Sequence, residues 1–205
     1  MGRTGRTMAR RARRGRRMAS LLVTFALLAT AVVLLAPLLD GTLQRLALPL
    51  SDASLIRAQA SEKHLDPALI AAVIYAETKF QPRTSPTGAL GLMQIEPETA
   101  AFIAHKSGGT EFTTSDLASP SVNLAYGSWY LRYLLDHYDR QELPAVAAYN
   151  AGLTAVDAWV ARAAEEGRAL EAQAIPYPET RAYVERVLAA QSDYRATYPR
   201  ELGLG

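Results

Sequence analysis

The spacing of apolar and polar residues along most of the chain predicts helices. After Asp40, no segment keeps the two-residue alternation that is typical of a half-buried strand. Proline stands where a helix would begin, at Pro67, Pro120 and Pro144, and glycine follows positions where a helix would end. The pattern predicts helices near 53–65, 67–79, 97–106, 120–138, 144–151, 154–166 and 178–192, with loops at 80–96, 107–119 and 167–177.

The N-terminal residues have a different pattern. Residues 18–39 contain no charged residue, and as a helix they would extend roughly 33 Å, enough to cross the hydrocarbon core of a bilayer. Residues 1–17 carry eight Arg and no acidic residue, so the positive-inside rule places them in the cytoplasm. We therefore expect an uncleaved transmembrane signal anchor at 18–39 and a single-pass membrane protein whose remainder is extracytoplasmic.

Two alternatives remain open for this segment. Ala29-Thr30-Ala31 has the small-residue pattern of a signal-peptide cleavage site, although it lies within the apolar run, and cleavage would release a secreted domain. The arginine cluster could also be an arm that binds nucleic acid. Its position next to an apolar span favours a topology signal instead.

Charge and composition exclude several classes of function. From Asp40 onward the chain has 14 Lys and Arg against 20 Asp and Glu, a net charge of −6, so we expect no nucleic-acid partner. Cysteine is absent, which excludes disulfides, thiolate zinc sites and a cysteine nucleophile. Because the three histidines are scattered, we expect no metal site, and nothing in the sequence calls for a cofactor.

The elements after Asp40 predict one compact all-α domain at residues 52–192. We expect residues 40–51 to form a short spacer and residues 193–205 to form a frayed tail.

The helix predicted at 67–79 contains the most informative residue. From Ala68 to Ala76 the helix is apolar on every side, and Glu77 follows on the same buried surface. Burial of a carboxyl group raises its pKa and keeps it protonated nearer neutral pH, as a general acid requires. The alternative is that Glu77 is solvated beyond the buried turn and pairs with Lys79.

Three later segments place polar side chains beside turns. Gln94 lies among large apolar residues in a glycine-rich bend, which is typical either of a cleft wall or of a buried loop. Asn123 and Gly127 lie on the helix predicted at 120–138, where glycine would allow a neighbouring helix to approach closely. Tyr149 and Asn150 lie at the end of a short helix, either facing a cleft or forming a packed C-terminal cap.

In this order, the segments resemble the lytic transglycosylase family, whose catalytic domain has a lysozyme-like fold. The matching blocks extend from about residue 60 to residue 190 of this chain. Each block is weak alone, but blocks in the family's order are specific. They are Glu77-Thr78 with Phe80 and Pro82, Gly91-Leu92-Met93-Gln94-Ile95, Asn123 with Gly127, Tyr130 and Leu131, Ala148-Tyr149-Asn150-Ala151-Gly152, and Glu179-Thr180 with Tyr183-Val184.

The resemblance implies a carbon–oxygen lyase that acts on peptidoglycan glycan strands. Such enzymes cleave the bond between N-acetylmuramic acid and N-acetylglucosamine and leave an anhydromuramic end, with one carboxyl group as acid and then as base. By this resemblance, Glu77 is expected to take that role here. Glu96 and Glu98 lie nearby, but we interpret them as first-turn helix charges. A hydrolase of the muramidase type, with a second carboxylate, and a non-catalytic wall-binding module are the alternatives.

The resemblance also implies roles for other residues. Gln94 and the backbone at Met93 are expected on the floor of the sugar groove, and Tyr183 on its opposite wall. Tyr149 is expected to orient the Glu77 carboxyl, and Asn150 to contact an N-acetyl or hydroxyl group. Asn123 is expected to brace the site.

Thr78 departs from the family pattern, which has serine at this position. We expect its hydroxyl to hydrogen-bond the sugar next to the scissile bond. The alternative is that the hydroxyl bonds only the backbone carbonyl four residues earlier.

Overall fold

The computed structural model describes residues 45–108 and 112–204. The chain divides into Met1–Ala47 and Leu48–Gly205, and the second unit contains the helical domain. The predicted cytoplasmic segment at 1–17 and the predicted anchor at 18–39 lie outside the described residues. Within the described part, no helix combines the length and the apolar character that crossing a bilayer requires.

Helices form most of the domain, and each of the predicted helices is present in the described residues. Short 3₁₀ helices occur at Thr114–Ala118 and Ala172–Ala174. The longest differences from the predicted bounds are two residues, except at the last helix. The helices are α1 (Ala53–Lys63), α2 (Pro67–Thr78), α3 (Pro97–Ser107), α4 (Pro120–His137), α5 (Glu142–Ala151), α6 (Leu153–Glu165) and α7 (Pro178–Thr197).

Helix α2 lies at the centre of the domain. Asp66 caps its N-terminus by accepting a hydrogen bond from the Ala68 amide at 3.0 Å, and Pro67 occupies the first helical position. Every residue from 68 to 74 is 1% exposed or less, as the continuous apolar pattern predicts. Helix α7 packs along α2, and α5 packs against α4, α6 and α7. This buried centre fixes where the last turn of α2 ends.

A small sheet interrupts the helical architecture. Strands β1 (Arg83–Thr84) and β2 (Leu90–Gly91) are antiparallel, with Arg83 opposite Gly91 and Thr84 opposite Leu90. The all-α prediction missed this sheet because a strand of two residues is too short for a two-residue alternation to appear. The fold is therefore mostly helical with one short hairpin in the predicted 80–96 loop.

The expectation of a frayed tail at 193–205 is wrong. Helix α7 continues to Thr197, and the buried hydroxyls of Tyr194 and Tyr198 donate to the carbonyls of Pro49 and Leu48 at 2.6 and 2.8 Å. Leu202 is 1% exposed. The Tyr194 ring also packs against Tyr75 and Phe80 at the end of α2. The tail and the last residues of the predicted 40–51 spacer therefore belong to the domain.

Candidate active site

Glu77 lies in the last turn of α2, where the chain leaves the helix abruptly. Lys79 and Phe80 both adopt positive φ angles, of 51° and 62°, which end the helix and turn the chain towards the hairpin. The Arg83 guanidinium donates to the backbone carbonyl of Glu77 at 2.8 Å. The backbone that carries the carboxyl group is thus held from both sides.

The Glu77 side chain reaches α7. Its Oε1 accepts a hydrogen bond of 2.7 Å from the hydroxyl of Tyr183, which is 4% exposed. Burial raises the pKa of Glu77 to about 7, while the Tyr183 hydrogen bond and the charges of Arg83 and Arg186 oppose the rise. The prediction of a desolvated acid is confirmed, and the partner is Tyr183 rather than Lys79. A carboxyl group with this pKa can donate and accept a proton near neutral pH.

The bend after β2 is fixed by Gln94. This residue has a positive φ of 47°, and its Nε2 donates to the carbonyls of Arg83 and Gly91, both at 2.8 Å. Gly91 has no room for a side chain, because a Cβ there would lie 2.2 Å from Nδ2 of Asn123. Gln94 therefore lines the cleft with its amide orientation set by the backbone.

Asn123 braces this bend from helix α4, as predicted. It is fully buried; its Nδ2 donates to the carbonyls of Leu90 at 2.8 Å and Leu117 at 3.2 Å, and its Oδ1 accepts from the Met93 amide at 2.8 Å. Gly127 leaves room for the Met93 side chain, since a Cβ there would lie 2.4 Å from the Met93 sulfur. The close neighbour of Gly127 is thus Met93, whereas the sequence predicted a helix.

Met93 differs from its predicted placement, and Tyr149 is hydrogen-bonded to it. Met93 is fully buried, and its carbonyl accepts from the Tyr149 hydroxyl at 3.0 Å, so its backbone is engaged within the protein and does not form the groove floor. Burial and the nearby Glu77 charge raise the pKa of Tyr149 well above its usual range. Tyr149 lies near the Glu77 carboxyl, and its hydroxyl bonds the bend. The hydrogen bond to the Glu77 carboxyl comes from Tyr183.

Thr78 also differs from its expected placement. It is 6% exposed, and its hydroxyl lies 2.8 Å from the Leu92 carbonyl and 3.2 Å from the Ile74 carbonyl four residues earlier. The hydroxyl therefore bonds the backbone four residues earlier, as in the alternative given above, and it also bonds the Leu92 carbonyl of the bend. The hydroxyl is directed into the protein because α2 ends at this residue and the bend packs over it.

Asn150 is exposed at the end of α5. Its Oδ1 accepts a hydrogen bond of 2.8 Å from the hydroxyl of Thr180 on α7. Because the amide oxygen is engaged, its Nδ2 donors are the groups that Asn150 can offer to a ligand.

These elements enclose a cleft of about 460 Å³. Of the predicted site residues, the cleft brings together Glu77, Gln94, Tyr149 and Asn150, while Thr78, Met93 and Tyr183 lie behind its surface. The sequence reasoning missed that Glu96 also lines the cleft, since its position before Pro97 indicated only a helix start. The lining consists of Glu77, Ser85, Thr87, Ala89, Gln94, Ile95, Glu96, Thr99, Tyr130, Ala148, Tyr149, Asn150, Ala151, Gly152 and Glu179.

The polar character of the lining sets what the site can bind. It contains hydroxyl, amide and carboxyl groups and the rings of Tyr130 and Tyr149, which suit the hydroxyl and amide groups of a sugar. In the described residues, no group of three or more His, Asp or Glu side chains is arranged to hold a metal ion. The carboxyl groups of Glu77, Glu96 and Glu179 in the lining are groups that can transfer protons.

The fold belongs to a known class of cell-wall enzyme domain. The model of the transglycosylase SLT domain matches residues 54–171. The chain belongs to this family, which confirms the resemblance in the sequence and the lysozyme-like, mostly helical fold.

Particular relatives agree. The chain is 33% identical over 150 residues to the soluble lytic murein transglycosylase of Escherichia coli (strain K12), covering 72% of this chain and 23% of that protein. It is 30% identical over 163 residues to the membrane-bound lytic murein transglycosylase C of Glaesserella parasuis serovar 5, covering 69% and 45%.

Solved structures show the same likeness. The 70 kDa soluble lytic transglycosylase of Escherichia coli superposes with a TM-score of 0.71 at 30% identity, covering 78% of this chain and 26% of that one. An inactive mutant of the lytic transglycosylase Slt from Pseudomonas aeruginosa gives 0.68 at 30% identity, covering 74% and 25%. The chain thus spans about a quarter of the length of the soluble relatives that it matches.

Proposed function

We propose that this protein is a lytic transglycosylase that cleaves the bond between N-acetylmuramic acid and N-acetylglucosamine in peptidoglycan and leaves an anhydromuramic end. The observation that supports this most strongly is the desolvated carboxyl of Glu77, with a pKa of about 7, at a sugar-sized cleft. Relatives named lytic murein transglycosylases give independent support.

In the first step, protonated Glu77 acts as the general acid. It donates its proton to the glycosidic oxygen as the bond from that oxygen to the anomeric carbon of the muramic sugar breaks. A pKa of about 7 keeps a large share of the carboxyl protonated at neutral pH.

In the second step, the resulting carboxylate acts as the general base. It takes the proton from the primary hydroxyl of the muramic sugar, and that oxygen attacks the anomeric carbon to close the anhydro ring. The proton returns to Glu77, and no water is consumed. The Tyr183 hydroxyl, 2.7 Å from Oε1, stabilises the carboxylate between the steps.

Neighbouring residues bind the sugar or position the acid. Gln94 and Asn150 offer amide groups to the hydroxyl and N-acetyl groups of the strand. Thr78 and Asn123 are positioning residues, because their hydrogen bonds join the end of α2 and helix α4 to the bend that carries Gln94. Tyr149 holds the same bend through the Met93 carbonyl.

One observation favours a second candidate, a hydrolase of the muramidase type. Glu96 and Glu179 line the same cleft as Glu77, and ordinary glycosidases use two carboxyl groups across the bond. Both residues are exposed, whereas Glu77 is the desolvated one. The single-carboxyl reaction therefore has the better structural support.

We further propose that residues 18–39 anchor the protein in the cell membrane with the catalytic domain outside the cytoplasm. The support is the charge-free apolar run behind eight arginines. The protein isolated from membranes should retain its N-terminal residues. A mature N-terminus after Leu39 would show that the segment is a cleaved signal peptide and would contradict the anchor.

Mass analysis of digested peptidoglycan tests the reaction. The purified chain should release fragments that end in anhydromuramic acid and are lighter by one water than reducing fragments. The Glu77→Gln variant, as the control, should release neither. Reducing ends from the wild-type chain would instead establish the hydrolase.

A further inference from the structure

A second cavity of about 350 Å³ lies where the end of α1 meets α4. None of its residues takes part in the reaction proposed above. It is lined by Glu62, Lys63, His64, Trp129, Arg132, Tyr133 and Asp136.

Aromatic side chains on α4 connect this cavity to the catalytic cleft. Tyr130 lines the cleft, and its ring lies 6.3 Å from that of Tyr133, with 12° between the planes. Tyr133 lines the second cavity, and its ring lies 5.6 Å from that of Trp129, with 6° between the planes. We call Tyr130, Tyr133 and Trp129, which are nearly parallel and half-buried, the aromatic track.

Helix α3 packs against two rings of the aromatic track. The Phe102 ring of α3 meets Tyr133 at 5.3 Å and 69° and Trp129 at 6.4 Å and 71°, both edge-on arrangements. Because this packing already fixes the rings, they lose little conformational freedom when a ligand binds to them.

The charges of the second cavity are paired among themselves. Arg132 Nε donates to Asp136 at 2.8 Å, and its Nη1 donates to the carbonyls of Lys63 and His64 at 3.1 and 3.2 Å. The Lys63 ammonium lies 2.7 Å from Glu62. Because each cation is paired with an anion, the cavity offers hydrogen-bonding groups but has no strong electrostatic potential of one sign. This suits a neutral polyol better than a phosphate or another polyanion.

We propose that the second cavity and the aromatic track bind the glycan strand beyond the catalytic cleft, so that long strands are held at two places. The inference rests on the proposed function, which makes a glycan polymer the substrate. Sugar rings have apolar faces that stack on aromatic rings, and their hydroxyls bond to polar side chains at the edges. The ring contacts from Tyr130 through Tyr133 to Trp129 connect the lining of the cleft with the lining of this cavity.

Tryptophan fluorescence tests the proposal by binding alone. The chain has two tryptophans, so Trp159→Phe leaves Trp129 as the only one. In a Glu77→Gln background, which prevents turnover, fractionated uncross-linked glycan strands should change the Trp129 emission. The disaccharide of N-acetylglucosamine, as a short ligand, should not. Long strands that bind by calorimetry without changing Trp129 emission would overturn the proposal.

Kinetics test the same proposal in the active enzyme. Trp129→Leu and Tyr133→Leu should each raise KM on long strands by about threefold to tenfold and leave kcat unchanged. On short fragments both variants should match the wild type. Trp129→Phe and Tyr133→Phe keep a ring and should retain most of the affinity.

Tyr126→Leu is the matched control on the same helix. Tyr126 stacks on Phe112 and is not among the residues lining either cavity. An equal KM rise in this control, or normal KM in both track variants, would contradict the proposal. If the wild-type chain showed no lytic activity, this would count against the proposed function. The binding proposal would still be tested, because the fluorescence assay needs no turnover.

Discussion

Helix α2 carries an acidic residue near each end, and helix α7 supplies partners to both. Asp66, at the N-terminus, accepts hydrogen bonds from Gln191 at 2.7 Å and Arg195 at 2.6 Å in addition to its capping bond. Glu77, at the C-terminus, accepts one bond from the neutral hydroxyl of Tyr183. The same two helices therefore hold two carboxyl groups in very different surroundings.

The difference separates a structural acid from a reactive one. Negative charge is favourable at a helix N-terminus and unfavourable at a C-terminus, and Asp66 also has a cationic partner. Glu77 has a desolvated carboxyl at the unfavourable end, with a pKa of about 7. Asp66 therefore joins α2 to α7 as a charged group, while the Glu77 carboxyl keeps a proton up to about pH 7.

The largest expected effect comes from Glu77→Gln. This change keeps the shape and the acceptor for Tyr183 but removes the titrating proton. Because general acid–base catalysis contributes about a hundredfold to ten-thousandfold, activity on purified glycan strands should fall by at least a hundredfold. Activity near that of the wild type would contradict the assignment.

The same variant should differ from the wild type in its stability at high pH. A carboxyl with a raised folded pKa contributes stability below its unfolded value, near 4.5, and loses it as pH rises through about 7. Above pH 7, Glu77→Gln should therefore be more stable, by up to about 3 kcal/mol. Denaturant unfolding at pH 5 and pH 8 measures the difference.

Tyr183→Phe should have the next largest effect. Removing the hydroxyl removes a bond that lowers the pKa of Glu77, so this pKa should rise further. A hydrogen bond to a charged group contributes about 1.5–3 kcal/mol, so the shift should be roughly one pH unit or more. The profile of kcat/KM against pH should shift to higher pH. An unchanged profile would show that Tyr183 does not act on the carboxyl.

Glu96→Gln and Glu179→Gln should have smaller effects on activity. Both side chains are exposed at the cleft, and the single-carboxyl reaction assigns neither a proton transfer. We expect less than about a tenfold loss in kcat/KM for each, equivalent to about 1.4 kcal/mol. A loss as large as that of Glu77→Gln in either variant would indicate a two-carboxyl hydrolase.

Asp66→Ala should have the smallest effect on activity and a clear effect on stability. It removes the helix cap and the partly buried pair with Arg195, so unfolding free energy should fall by about 1–3 kcal/mol. At a temperature where the variant is folded, kcat should match that of the wild type. A variant with normal stability but low kcat would contradict the assignment of Asp66 as the structural acid and Glu77 as the reactive one.

The sequence predicted the elements of the fold better than the contacts of the site. Periodicity and proline positions located the helices because each signal is local, and the apolar run of α2 indicated the desolvation of Glu77. Whether the Tyr183 or the Tyr149 hydroxyl bonds Glu77 depends on how α2, α5 and α7 pack together. No local pattern contains that information.

The buried tail was missed for a related reason. Tyr194 and Tyr198 lie in a polar stretch of sequence, and their burial depends on Leu48 and Pro49, which lie about 150 residues earlier. Thr78 was placed correctly in the chain but not in space, because the bend that receives its hydroxyl comes from a different segment.

The protonation of Glu77 is the most direct test of the account. Carboxyl carbon resonances of glutamate-labelled protein can be followed by NMR across pH, with Glu77→Gln to assign the Glu77 signal. The account predicts that this signal titrates with a midpoint near pH 7. A midpoint near the ordinary value of 4.5 would contradict it, since Glu77 would then lack the proton it must donate.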